Sequence, residues 1–228
     1  MILYQRAQSA LDEDDTKRAR SIVLRAVRLR PDFFPAVKLA AMLLVSDGKP
    51  KKAKSLVKEC CEALRHPDLA TLYVEISSPN TPIERLKILD TLVSSFSNDP
   101  EALLLTADAA LDASLWGTAR ERLGRAIDGD PDQRVYRLMA RLEQVENANE
   151  GSARQWLLQA TEAKEQPQWN CQVCGAPSVE WVLRCTSCES IDSLEWTSLV
   201  EVDQRAPSRV GLVDVRPINI NSIGRFGP

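Results

Sequence analysis

A frame of small and apolar residues recurs along this chain at a fixed interval, and it restricts the fold more than any other feature. Ala19, Val23, Ala26 and Pro31 follow the spacing A-x3-V-x2-A-x4-P, and Ala119, Leu123, Ala126 and Pro131 repeat it. Ala53, Val57 and Cys60 fit the same frame with the proline delayed to Pro67, and Ala153, Leu157 and Ala160 fit it again. Ala19 to Ala53 is 34 residues, Ala119 to Ala153 is 34, and the 66 between Ala53 and Ala119 leave room for two steps through a degenerate unit marked by Ile88, Leu92 and Pro100. Small side chains allow helices to approach closely, the larger apolar residue one turn on fills the gap, and proline ends the helix before the next unit.

A 34-residue period of paired helices is that of the tetratricopeptide repeat. Such units bury their apolar faces only against neighbours, so the array is stable as a stack. The sequence therefore predicts an all-α superhelix of about five helix pairs, ten helices over residues 1–165, with no strand among them. Local signals agree. Thr81-Pro82-Ile83-Glu84 reads as N-cap, first-position proline and capping-box glutamate, and Gly48 sits where a turn must separate the helices of the second unit.

At Gln166 the composition changes. Aromatics make up only 5% of the chain, yet Trp169, Trp181 and Trp196, three of its five tryptophans, fall in this short segment. Cys171, Cys174, Cys185 and Cys188 form C-x2-C-x10-C-x2-C. Two tight turns each presenting a pair of sulfurs close a tetrahedron, the arrangement that Zn2+ prefers. The expected units are a repeat array over 1–165, a four-cysteine zinc-ribbon or rubredoxin-like knuckle over 166–198, and an extended tail over 199–228 whose end, Ile223 to Pro228, could dock as a peptide. The knuckle has too few residues to fold on an apolar core alone, so the metal must supply much of its folding energy. Gly175 suits the turn after the first pair, whereas Glu189 holds the matching place after the second. Structural zinc leads because four thiolates leave no open coordination position. Iron is the runner-up, followed by disulfides and then by unliganded thiols. The tryptophans are expected to pack around the site or against the last repeat helix, with the knuckle capping that repeat.

Several functions find no support in the residues. His66 is the only histidine and reads as a helix-end residue, so no triad assembles around it, and no glycine-rich phosphate loop is present. Cys60 and Cys61 read as core residues without spaced partners. No run approaches the ~20 apolar residues of a membrane span, and the chain is expected to be cytoplasmic. Residues 1–66 carry a net +6, residues 67–166 a net −7. This asymmetry suits an acidic partner or an anionic membrane face, or else solvated outer helix faces. The knuckle segment, with Glu180, Glu189, Asp192 and Glu195, is too acidic to favour nucleic acid. Protein partners are expected on the concave side, where Lys38, Asp108 and Arg141 on the first helices of their units are candidate contacts; no small-molecule substrate is evident.

The order of features carries a resemblance. Arg137-Leu138-Met139-Ala140-Arg141-Leu142-Glu143, then Ala153-Arg154-Gln155-Trp156-Leu157 with Ala160, then Pro167-Gln168-Trp169-Asn170-Cys171 and the closing Asp192-Ser193-Leu194-Glu195-Trp196 resemble the C-terminal part of the HemY-type proteins of proteobacteria. The resemblance covers about residues 1–197 and implies a cytoplasmic repeat domain at the inner membrane, anchored by a hairpin absent from this sequence. It also implies a non-enzymatic role connected with haem (porphyrin) biosynthesis. The lipopolysaccharide assembly protein B group is similar in layout, and implies a regulatory adaptor. A third reading makes the sulfur site an iron centre in a redox or haem-handling protein.

Overall fold

The computed structural model describes residues 1–198; the tail over 199–228 and its Ile223–Pro228 end lie outside the described residues. Ten helices follow one another: α1 (Ile2–Asp12), α2 (Thr16–Leu29), α3 (Phe34–Ser46), α4 (Pro50–Leu64), α5 (Pro67–Ser77), α6 (Pro82–Leu92), α7 (Pro100–Asp112), α8 (Trp116–Ile127), α9 (Gln133–Asn147) and α10 (Glu150–Glu162). Three strands come after them: β1 (Gln168–Cys171), β2 (Pro177–Ser178) and β3 (Leu194–Thr197).

The helices form five antiparallel pairs, each packed on the next. Phe34, Pro67, Pro100 and Gln133 open the first helices of successive units at a spacing of 33 residues. Those first helices also touch one another, α3 with α5, α5 with α7 and α7 with α9. They form the inner layer of the stack and the second helices the outer one, which is tetratricopeptide architecture.

The repeat frame explains the packing. Ala19, Ala53, Ala119 and Ala153 are buried, and so are the larger Val23, Val57 and Leu123 one turn on. Burial of each valine or leucine at these places stabilises by about 1.5–3 kcal/mol. Leu157, at the same place in the fifth unit, is 45% exposed, no further helix packing on it among the described residues. Cys60 and Cys61 lie in the core, where burial pushes their thiols up to about 11 and about 12.

Caps set the boundaries. Thr81 Oγ1 accepts from the Glu84 amide at 3.1 Å, and the Glu84 carboxylate reaches back to the amide of Asn80, one residue earlier than the usual box. α3 to α7 each carry proline in their first two positions. Within units, the turn between helices takes a left-handed residue at Asp14, Gly48, Ser78, Ser114 and Ala148, so a glycine marks only one of the five turns. No helix among the described residues is long and apolar enough to cross a membrane.

After α10 the chain turns back. Lys164 bridges to Asp132, and the Gln133 amide donates to the Lys164 carbonyl at 2.9 Å, tying the linker to the start of α9. The strands then form one antiparallel sheet in the order β2-β1-β3, with Trp169 opposite Trp196.

Candidate metal centre and its seat on the repeats

The two cysteine turns are copies of each other. The Gly175 amide donates to the Cys171 carbonyl at 2.8 Å, and the Glu189 amide donates to the Cys185 carbonyl at 2.9 Å. The Cys171 amide donates to Ala176 and the Cys185 amide to Ser190, again in parallel. Gly175 has φ +72° and Glu189 φ +59°, so the second turn keeps the left-handed geometry without glycine, at a steric cost that the paired hydrogen bonds offset.

The four sulfurs lie within 4.8 Å of one another, with Cys171 to Cys188 and Cys174 to Cys185 each at 3.7 Å. A tetrahedron of sulfurs ~2.3 Å from a central ion has edges of about 3.8 Å, so the donor set fits a four-thiolate metal. It is too wide for a disulfide, whose sulfurs stand about 2.05 Å apart.

Two serines that the cysteine spacing does not reveal complete the site. Ser193 Oγ is 3.2 Å from Cys171 Sγ, and Ser190 Oγ is 3.4 Å from Cys171 Sγ and 2.9 Å from Cys188 Sγ. Burial acts to raise the Cys171 thiol, but these hydroxyls and the amides of its turn outweigh it and hold the group down at about 5. Ser190 likewise lowers Cys188. Burial, joined by the neighbouring sulfurs, pushes Cys174 up to about 12. Thiolates this close together need a cation to ionise as a set.

The knuckle does not cap the last repeat. Its tryptophans pack on the other end of the array, which corrects the expectation from sequence. Trp181 stands edge-on to Tyr4 of α1 at 5.6 Å and to Phe33 at 5.3 Å. Trp169 and Trp196 flank His66, with centroids at 5.3 and 4.3 Å, and Phe34 stacks on the same imidazole at 4.0 Å. The sheet therefore lies across the N-terminal ends of α3 and α5, and Leu157 and Leu158 of α10 stay exposed. The tryptophans stand on β1, on β3 and between the two cysteine turns, so the geometry of the sulfur site and the placing of the rings are linked.

His66 is a helix-end residue as expected, but one built into this cluster. It caps α5, its Nδ1 accepting from the Asp68 amide at 3.2 Å. The residue is 3% exposed, and Nε2 is enclosed without a hydrogen-bond partner. Burial holds it down at about 4, with nearby Asp68 opposing and Lys38 adding to the shift.

The three candidate contact residues all stand on inner-layer helices, α3, α7 and α9, but each is engaged. Lys38 pairs with Asp68 at 3.2 Å and lies over the Phe34 ring. Arg141 bonds Asp108 at 2.8 Å and Asp112 at 2.7 Å, and Arg85 joins the same carboxylates from α6. These groups stay a third or more exposed, so the network can still exchange partners. Beside Lys38 a recess opens between α3 and the knuckle, lined by Tyr4, Met42, Val179, Glu180 and Trp181 among others.

No family model matches the chain. A protein of Magnetospirillum gryphiswaldense described as "Probable magnetosome protein Mms48" is 26% identical over 193 residues, covering 83% of this chain and 42% of that protein. The chain thus spans less than half the length of this relative. Solved structures aligned with it include a MamA double mutant (14% identical, covering 71% of this chain and 92% of that chain, TM-score 0.44). YrrB, described as a TPR protein with an unusual peptide-binding site, is 18% identical over 70% of this chain and 84% of its own (TM-score 0.42). The type IV pilus biogenesis factor PilW is 15% identical over 71% and 77% (TM-score 0.42). At these scores the likenesses add no weight to an architecture already given by the five helix pairs. The chain has the architecture of a tetratricopeptide-type repeat array and is similar, over 83% of its length, to part of a protein described as a probable magnetosome protein.

Proposed function

We propose that the chain is a non-catalytic scaffold whose inner layer of first helices holds a segment of a partner protein. In this reading Zn2+ bound by Cys171, Cys174, Cys185 and Cys188 makes the knuckle a clasp on the first three units. The observation that carries it is the enclosure of His66 by Phe34, Trp169 and Trp196. It joins the sulfur site to the repeats, and it takes the only histidine out of reach of any substrate. Four thiolates saturate zinc, so the ion supplies cross-links. A connection with haem biosynthesis at the inner membrane rests on the HemY resemblance alone, and one with magnetosomes on the name of the relative alone.

Two measurements test this. Purified protein should hold one zinc per chain and be colourless; iron with visible charge-transfer absorbance and a reversible redox step would move the site to the electron-carrying reading. Crosslinked capture from the native host should then compare wild type with Asp108→Lys/Arg141→Glu. Porphyrin-biosynthesis enzymes captured by wild type and lost in the variant support the haem reading. Envelope-assembly factors in their place would favour the lipopolysaccharide-assembly adaptor. An identical set from both chains removes the inner layer from the account.

A further inference from the structure

The outer layer is not uniform. α2 carries Lys17, Arg18, Arg20, Arg25 and Arg28 with no acidic residue, and α4 carries four lysines against Glu59 and Glu62. Lys17, Arg25, Arg28, Lys51, Lys52 and Lys58 are exposed and have no ion-pair partner among the described residues. The equivalent second helix of the fourth unit, α8, shows the opposite habit. Arg120 pairs with Glu143 and Glu146, Arg122 with Asp90, and Arg125 with Glu121. Solvated helix faces in this fold thus pair their cations where carboxylates stand opposite; on α2 this holds for Arg18 with Glu13 and Arg20 with Asp47, and the six cations named above have none opposite them among the described residues. Like charges crowded on adjacent helices repel, a cost that an anionic partner removes.

Between the two basic helices runs a slot floored by Leu24, Leu44 and Leu56, with Lys51, Lys52, Ser55 and Glu59 along its edge. Leu44 is buried and the other two leucines are half-buried. We propose that this outer slot docks an acidic amphipathic segment of a partner protein, apolar side chains entering the floor and carboxylates meeting the lysines and arginines. The recess decides among anionic partners. A bilayer surface has no side chain to fill it, and a phosphate backbone would leave its leucines facing charge. A helix of about 14 residues, rising 1.5 Å per residue, matches the length of α2 and α4.

The test uses the whole chain and three fluorescent peptides: one with alternating leucine and glutamate faces, one with its leucines replaced by serine, one with its glutamates replaced by lysine. Anionic phosphatidylglycerol vesicles and a short DNA duplex run in parallel. The leucine–glutamate peptide should bind, and weaken by about tenfold as salt rises from low to physiological. Lys51→Glu/Lys52→Glu and, from the other helix, Arg25→Glu should each weaken it by about tenfold or more. These positions are exposed, and an unchanged thermal melt verifies the fold. The serine peptide should bind about tenfold more weakly and the lysine peptide not at all. The inner-layer variant Asp108→Lys/Arg141→Glu should bind normally, which separates this surface from the one assigned above. Equal binding by wild type and the charge variants, equal binding of the serine peptide, or charge-dependent binding of vesicles or duplex in preference to the peptide would each overturn the proposal.

Discussion

Four residues at one repeat position divide the array in two. Phe33, His66, Asp99 and Asp132 stand 33 residues apart, each at the N-cap of a first helix. In the rear units the residue is aspartate, and it caps: Asp99 accepts from the Glu101 amide at 3.0 Å and Asp132 from the Arg134 amide at 2.8 Å. Each also takes an arginine, Asp99 from Arg65 and Asp132 from Arg134, which in turn reaches Glu101 of the unit before. In the front units the position is aromatic, and it seats the knuckle. Phe33 gives up side-chain capping altogether. One backbone site thus serves two kinds of cohesion, a desolvated ring cluster tied to a sulfur site in front and charge pairs one repeat apart behind. The front should respond to metal and acid, and the rear to salt and to loss of single charges.

The largest expected break is in front. Cys171→Ser with Cys185→Ser, or a strong chelator, should unfold the knuckle and release Trp169, Trp181 and Trp196 into water. The structural metal supplies most of a small module's folding energy, so the loss should be about 3–5 kcal/mol, about 10 °C in a chain of this size. Tryptophan emission should shift to the red, and amide exchange should rise in α1, α3 and β1 while α7 to α9 keep their protection. A double variant with wild-type melting temperature and wild-type metal content would end the clasp reading.

Acid should give a smaller and more local effect. The folded protein holds His66 at about 4, against an unfolded value of about 6.5. The folded state therefore favours the neutral ring, and the unfolded state binds the proton first. Its contribution is complete above about pH 6.5, is lost as pH falls towards 4, and changes no further below; about 3 kcal/mol is involved. Urea melts across that window should slope downward for wild type and be flatter by that amount for His66→Phe. The cysteines titrate in both chains, so the difference belongs to the imidazole. Parallel slopes would mean that water already reaches Nε2 in the folded protein.

The parts of this arrangement that could be read from sequence are the ones built from neighbours in sequence. The alanine frame gives the period because helix pairing is local, and C-x2-C twice gives the sulfur site because each turn is local. The seat depends on Trp181 meeting Tyr4 and Phe33, which no local pattern encodes. A signal was nonetheless present: Phe33 occupies a turn position held by Asp99 and Asp132 further along, and an aromatic that cannot cap, where its equivalents do, is an aromatic wanted elsewhere. Ser190 and Ser193 were hidden among ordinary loop residues, and the left-handed turns at Asp14, Ser114 and Ala148 because only Gly48 announces its conformation.

In the rear, Arg134→Ala leaves Asp132 and Glu101 without their shared cation. Burial already raises the Glu101 carboxyl, with Arg134 opposing. Both carboxylates have side chains only 13–14% exposed, so the expected loss is about 1–3 kcal/mol, less than for a fully buried pair. Exchange should rise at α7 and α9, while α1 and α3 keep their protection. Exchange that rises equally in α1 and α3 would show that the two halves are coupled, Trp196 lining the same recess as Arg134 and Lys164.

The smallest effect tests the end of the stack itself. Leu123 and Leu157 hold the same place in the repeat frame, one fully buried and the other 45% exposed. Leu123→Ala should cost about 2–5 kcal/mol, a cavity in a packed interface. Leu157→Lys should cost within about 0.5 kcal/mol, because the knuckle that could have covered it sits on the far end of the array. A loss several times larger would mean that α10 is covered in solution. Dependence of that loss on protein concentration would identify the cover as a second copy of the chain, and independence would place the cover within the chain itself.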